Sequence, residues 1–192
     1  MPSFHVLIAS IGRESLQLML NSLIPQLNSE DHITIVFDGV AAIPMDFREN
    51  KCKIHVCEEK VNLGFYGHAI RNKYANILEK TDFIMHADDD DTYFPNAFDN
   101  LRLLCDNKNT LYVARMLTPA GPIPFPKKTL FQSIKNNYIG TPCGIIPYKF
   151  NSKAIWELRH GGDQNFYETL EKNTTVKFLN IIIYHVPSWE KK

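Results

Sequence analysis

Three stretches of this chain are apolar along almost their whole length: FHVLIAS (Phe4 to Ser10), HITIVFDG (His32 to Gly39) and DFIMHA (Asp82 to Ala87). A strand with one wet face alternates apolar and polar residues. A continuous apolar run has both faces covered, which is the situation of a parallel sheet. Between the first two runs, Leu16, Met19, Leu20, Leu23, Ile24 and Leu27 recur at helical spacing and form one apolar stripe. CKIHVCE reads as a third strand and TLYVARML as a later one. Gly64 to Leu78 reads as a helix, and Pro95 to Cys105 as another with Pro95 in its first turn. Strand and helix alternate, so the pattern predicts an α/β fold with a mostly parallel central sheet flanked by helices. A length of 192 residues, 44% of them hydrophobic, suits one domain spanning 1–192.

The chain is less regular after about residue 116. TPAGPIPFPKK, with four prolines, reads as an extended loop and GTPCGIIPY as a strand with a glycine-containing entry. GGDQNFYETLEK reads as a helix with Asp163 as its N-cap, and VKFLNIIIYHV as a long final strand. The formal net charge is zero, which argues against a general nucleic-acid binder; Lys127-Lys128 is only a pair. The longest apolar run near the C-terminus, FLNIIIYHV, is too short to span a bilayer. The N-terminal apolar run lacks a basic flank, so a cytoplasmic location is expected. Cys52 and Cys57, five apart on a strand, point to opposite faces. With Cys105 and Cys143 they are expected to be reduced thiols.

Ligands of such sheets bind beyond the carboxyl ends of the strands. Ser10 to Arg13, Asp38 and the four consecutive aspartates Asp88 to Asp91 all fall at such ends. Four like charges in a row repel, and a hard divalent cation among them would offset that. The chain has no GxxxxGK[ST] loop and no GxGxxG after a strand. For a phosphorylated ligand, a metal would therefore have to supply much of the positive charge. The plainer alternative is a solvated acidic turn, with one aspartate capping the next helix. Arg13 at a helix start opposes the helix dipole unless it faces an anion such as a diphosphate; otherwise it is a surface side chain that snorkels away. Phe65 and Tyr66 read as packing residues. Trp156 and Trp189 suit either sugar faces or core cover.

Taken in order, these pieces resemble GT-A fold glycosyltransferases of the family 2-like type. Asp88 to Asp91 followed by Pro95 looks like the D-x-D-D run with a proline four residues on. VLIASIGRES looks like the opening strand and nucleotide-contacting turn, and IVFDG like the second strand, whose terminal aspartate, Asp38, bonds the base. NLGFYGHAIRN is similar to the element that precedes the metal motif. GGDQNFYETL resembles the helix start where inverting members keep their base, and YHVPS the late strand whose histidine completes a metal shell. The resemblance runs from about residue 4 to 188. It implies a GT-A-like single domain, with a nucleotide-binding part at about 1–116 and an acceptor and catalytic part at about 117–192. It implies an inverting hexosyltransferase-type enzyme that moves a sugar from a nucleotide sugar, a UDP-sugar by preference, to a hydroxyl of a glycan or other acceptor. Manganese or magnesium would be held by Asp90, Asp88 and His185, and the catalytic base would be Asp163. Donor contacts would come from Ser10, Arg13, Asp38, Asn62, Gly67, Arg71 and Asp88. A small bacterial or virus-encoded surface-sugar transferase would have this size. Two other readings stay open: a nucleotidyltransferase on a similar sheet, and a noncatalytic metal- or sugar-binding module.

Overall fold

The computed structural model describes residues 1–48, 50–124 and 133–188. The strands are β1 (Phe4–Ser10), β2 (His32–Asp38), β3 (Lys53–Glu59), β4 (Phe83–Asp88), β5 (Thr92–Tyr93), β6 (Thr110–Thr118), β7 (Gly121–Ile123), β8 (Gly144–Pro147) and β9 (Thr175–His185). The α-helices are α1 (Leu16–Leu23), α2 (His68–Tyr74), α3 (Ala97–Leu104) and α4 (Gly162–Glu171). The sheet order is β3-β2-β1-β4-β8-β6-β9-β5, with β7 paired to β6. The first four strands are mutually parallel. The sheet becomes mixed where β8 runs antiparallel to both β4 and β6. The result is the mixed α/β, GT-A-like domain expected. The division drawn near residue 116 falls inside β6, whose partners β7, β8 and β9 all come from the later part of the chain.

Alternation within the buried strands decides which face meets which helix. Phe4, Val6 and Ile8 of β1 join the large core with Leu16, Met19, Leu20 and Leu23 of α1 and Phe98 and Leu101 of α3. Leu7 and Ala9 point the other way, onto Ile70 and Tyr74 of α2. The sheet cannot be flat. Four strand spacings separate β4 from β5 in the sheet order, about 19 Å in a flat sheet. Only Asp89 to Asp91 join them in sequence, and the step from the last residue of β4 to the first of β5 spans at most about 14 Å. The sheet therefore curls, and the acidic turn bridges its two halves.

Three local expectations change. The helix expected from Gly64 begins only at His68, because Gly64, Phe65, Tyr66 and Gly67 all have positive φ, which no α-helix accommodates. A left-handed conformation costs about 1–2 kcal/mol for a residue with a Cβ, so Phe65 and Tyr66 are strained. Pro95 lies outside α3; Asn96, at φ 62°, is its N-cap. Arg13 also precedes α1 and does not sit in its first turn. The four cysteines are free thiols. Among the described residues no helix is long and apolar enough to cross a membrane. Trp189 and Lys127-Lys128 lie outside the described residues.

Candidate active site

A cleft with two chambers opens at the carboxyl ends of β1, β2 and β4. The β1-side chamber, about 210 Å³, is lined by Ser10, Arg13, Asp38, Asn62 and Gly67 among others. The α4-side chamber, about 180 Å³, is lined by His68, Asp91, Tyr138, His160 and Asp163 among others. Tyr66, Asp88 and Asp90 line both. The strand-end residues picked out in the sequence thus converge, on a common wall built from the acidic turn.

In the β1-side chamber the polar groups already hold one another. Asp89 is buried in the wall of this chamber. Its Oδ2 accepts from the Ser10 hydroxyl at 2.7 Å and from the Ile11 N–H at 3.0 Å, and its Oδ1 accepts from Arg13 at 2.5 Å. Arg13 also reaches Asp90 at 3.2 Å. Burial works against the Arg13 charge, but Asp89, then Asp90 and Asp88, hold its pKa above the ordinary value. The anion that Arg13 faces is therefore the acidic turn itself. Asp38, 3% exposed, is similarly engaged: Oδ1 accepts from Leu63 N–H at 2.6 Å and Oδ2 from Gly64 N–H at 2.9 Å. Asn62 donates to the Asp38 carbonyl at 3.0 Å. Both lie at the chamber wall, fastening the 62–67 loop to the end of β2.

Arg71 requires a correction of place. Its side chain is fully buried, so it does not itself face the cleft. Nη2 donates to Asp88 Oδ1 at 2.6 Å and Nη1 to the Tyr66 carbonyl at 2.7 Å, while the guanidinium lies over the Trp156 ring. Gly67 makes room for this: a Cβ there would stand 2.7 Å from Ala9 Cβ and 2.9 Å from Arg71 Nη1. Trp156 is core, stacked on Phe166 at 4.0 Å, and presents no face to the cleft.

The carboxyls of the common wall and the α4-side chamber behave differently. Asp90 is raised above the usual carboxylate range by burial; Arg13 opposes this, and the charges of Asp88 and Asp89 add to it. Asp91 is pushed up to about 8, by burial first and then by Asp88 and Asp90, against a hydrogen bond from the Tyr184 hydroxyl. Tyr184 also accepts the Asp88 N–H at 3.1 Å. Asp163 is raised by burial, with the Gln164 N–H, His68 and Arg71 opposing. It is not the N-cap expected, since Gly161, at φ 77°, takes that position. Asp163 sits in the first turn, where Oδ1 accepts from Gln164 N–H at 3.1 Å. His68 Nδ1 lies 2.7 Å from the Glu157 carbonyl and must carry a proton to bond it. Burial and Arg71 lower its pKa.

The three groups expected to share a metal are not gathered together. His185 rests its ring near Phe94, at 6.0 Å. Among the described residues no group of three His, Cys, Asp or Glu side chains is placed to hold an ion. β9 carries His185 into register with Thr92, beyond the acidic turn. The sequence reading missed several cleft residues. The sequence reads Asp91 as a cap of the next helix or a support of the site and Tyr66 as packing, and does not single out His68, Tyr138 or His160. Only the GHAIRN stretch, which holds His68, carried a signal for them.

No family model matches the chain, and no curated protein matches it in sequence. Solved structures do resemble it. A structure of S. aureus TarS 1–349 superposes with TM-score 0.73 at 18% identity over 97% of this chain and 60% of that one. A structure of S. aureus TarS gives 0.71 at 16% identity, over 98% of this chain and 37% of that one. TarS 1–349 in complex with UDP-GlcNAc gives 0.70 at 16% identity, over 100% and 60%. This chain therefore spans 37 to 60% of the length of those proteins, and at such identities the likeness is one of fold.

Proposed function

We propose that this chain is a glycosyltransferase that takes a UDP-sugar in the β1-side chamber and an acceptor hydroxyl in the α4-side chamber. The observation that carries the reading is the wall the two chambers share. Asp88 and Asp90 stand where the bond from sugar to diphosphate would lie, and Asp163 lines the chamber on the far side. The fold likeness to a protein solved with UDP-GlcNAc supports the choice of donor.

The residues fit a divalent cation. The side chains of Asp88 and Asp90 are 37% and 35% exposed at the common wall. Burial first, and then the charges of Asp88 and Asp89, keep the Asp90 pKa raised although Arg13 lies beside it, and a cation at this wall would favour the ionised carboxylates. Two carboxylates suffice for manganese or magnesium when substrate phosphates and water complete the shell. When bound, the cation neutralises charge that develops on the diphosphate leaving group. Arg71 orients Asp88, and Arg13, shared with Asp89, offers its guanidinium to a phosphate at the chamber wall. Asp163 accepts the proton of the attacking hydroxyl. Its raised pKa brings it nearer the neutral range in which a general base works best. Attack from the side opposite the diphosphate inverts the anomeric centre.

The test is UDP release from a panel of UDP-sugars, with and without manganese or magnesium, for the wild type and Asp90→Ala. Metal-dependent release is expected for the wild type. For Asp90→Ala a loss of metal-dependent UDP affinity of at least roughly tenfold is expected, with melting little changed, because the ion offsets the repulsion within the acidic turn and the exposed pair with Arg13 is worth little. A wild type that neither binds UDP nor releases it under any metal condition ends the proposal.

A further inference from the structure

The loop at residues 64–67 is held in a shape that its sequence disfavours. Four successive residues have positive φ, and the middle two, Phe65 at 55° and Tyr66 at 57°, are large aromatics. Bulky side chains are rare in that region, and such outliers persist only where the surroundings impose them. Here the clamps are visible on both sides. Asp38 takes the Leu63 and Gly64 N–H groups, and Arg71 takes the Tyr66 carbonyl. Core packing does not explain the strain, since Phe65 and Tyr66 are 50% and 48% exposed. What the shape achieves is position. Among the described residues, Tyr66 is the one uncharged side chain that lines both chambers, beside Asp88 and Asp90. Its ring meets His160 edge-on at 5.7 Å, in the α4-side chamber.

We infer that Tyr66 contacts the sugar being transferred and is a specificity-determining residue for it. This rests on the glycosyltransferase reading and extends it to a position that the sequence assigned to packing. A group passing from one chamber to the other crosses the wall that Tyr66, Asp88 and Asp90 form. The two carboxylates suit the metal and diphosphate. Tyr66 offers the apolar ring face and polar tip that an aromatic residue brings to a pyranose, which has one apolar face and a rim of hydroxyls. Discrimination between hexoses that differ at one hydroxyl then depends on where this ring is fixed. Arg71 and Asp38 fix it.

Tyr66→Gly tests the inference without threatening the fold, because glycine accepts the left-handed conformation. Its melting temperature should equal or exceed that of the wild type. UDP affinity with manganese should stay within about twofold. In turnover of UDP-GlcNAc, UDP-glucose and UDP-galactose, kcat/KM for the preferred donor should fall at least about tenfold, and the spread among donors should narrow. Tyr66→Phe should keep most of the preference. Tyr66→Asn, another left-handed-tolerant residue, repeats the test should the glycine variant melt early. A glycine or asparagine variant that keeps both kcat/KM and donor ranking overturns the role of Tyr66 and leaves the glycosyltransferase reading intact. A wild type that turns over none of the three donors and binds no UDP overturns both.

Discussion

The two chambers of the cleft use aspartates in opposite ways. On the β1 side, Asp38 and Asp89 are buried and saturated with donors: backbone N–H groups for the first, Ser10, Ile11 and Arg13 for the second. On the α4 side, Asp91 is buried and Asp163 half-buried, each with fewer donors, and loss of solvent raises both. A buried carboxylate with enough donors is a structural fastener. One without them is driven toward its protonated form and is chemically responsive. Changes on the β1 side should therefore appear as stability and binding, and changes on the α4 side as rate.

The largest effect should come from Asp163→Asn. The amide oxygen can still accept the Gln164 N–H, so melting should barely move. It cannot take a proton, so transfer should drop by roughly 10²–10⁴-fold while UDP-sugar binding persists. The wild-type rate should rise with pH as Asp163 ionises, along a limb displaced upward from the ordinary carboxylate range. The variant should lack that limb. A variant with the wild-type rate would break the contrast between the chambers.

Arg71→Lys should come next, as a loss of stability. Lysine keeps the charge but cannot bond Asp88 and the Tyr66 carbonyl with two separate nitrogens. A loss of about 2 kcal/mol by denaturant unfolding is expected, with weaker metal-dependent UDP binding. Unchanged stability would mean that the buried guanidinium is not the clamp. The smallest effect sharpens the comparison. Asp38→Asn leaves one of the two loop N–H groups without an acceptor, at about 1 kcal/mol. If Asp38 serves the loop alone, UDP affinity should follow stability and no more. A drop in UDP affinity at unchanged stability would instead return Asp38 to the base contact that the resemblance implies.

Much of this was legible in the sequence. The runs around Val6, Ile35 and Met85 announced buried strands, because a strand covered on both faces must be apolar at consecutive positions. The stripe from Leu16 to Leu23 announced α1 by its period. Those elements, with the rule that parallel strands present their carboxyl ends together, placed Ser10, Arg13, Asp38 and the acidic run at one edge of the fold. Such signals are local: each depends on which face of one element meets the core. What the tertiary structure decided is which partner each polar group found. Arg13 turns to Asp89, 76 residues away, and Arg71 is buried against Asp88, 17 residues away. Asp91, read in the sequence as a helix cap or a support of the site, lines the α4-side chamber and is bonded by the Tyr184 hydroxyl, which also accepts the Asp88 N–H across 96 residues. Phe65 and Tyr66 read as ordinary packing residues because nothing in their identity favours a left-handed backbone. Asp38 and Arg71 impose it from two other elements, and those side chains come together only when the sheet is assembled and curled. Periodicity records burial, whereas pairing depends on register and crossover geometry, which no single segment contains.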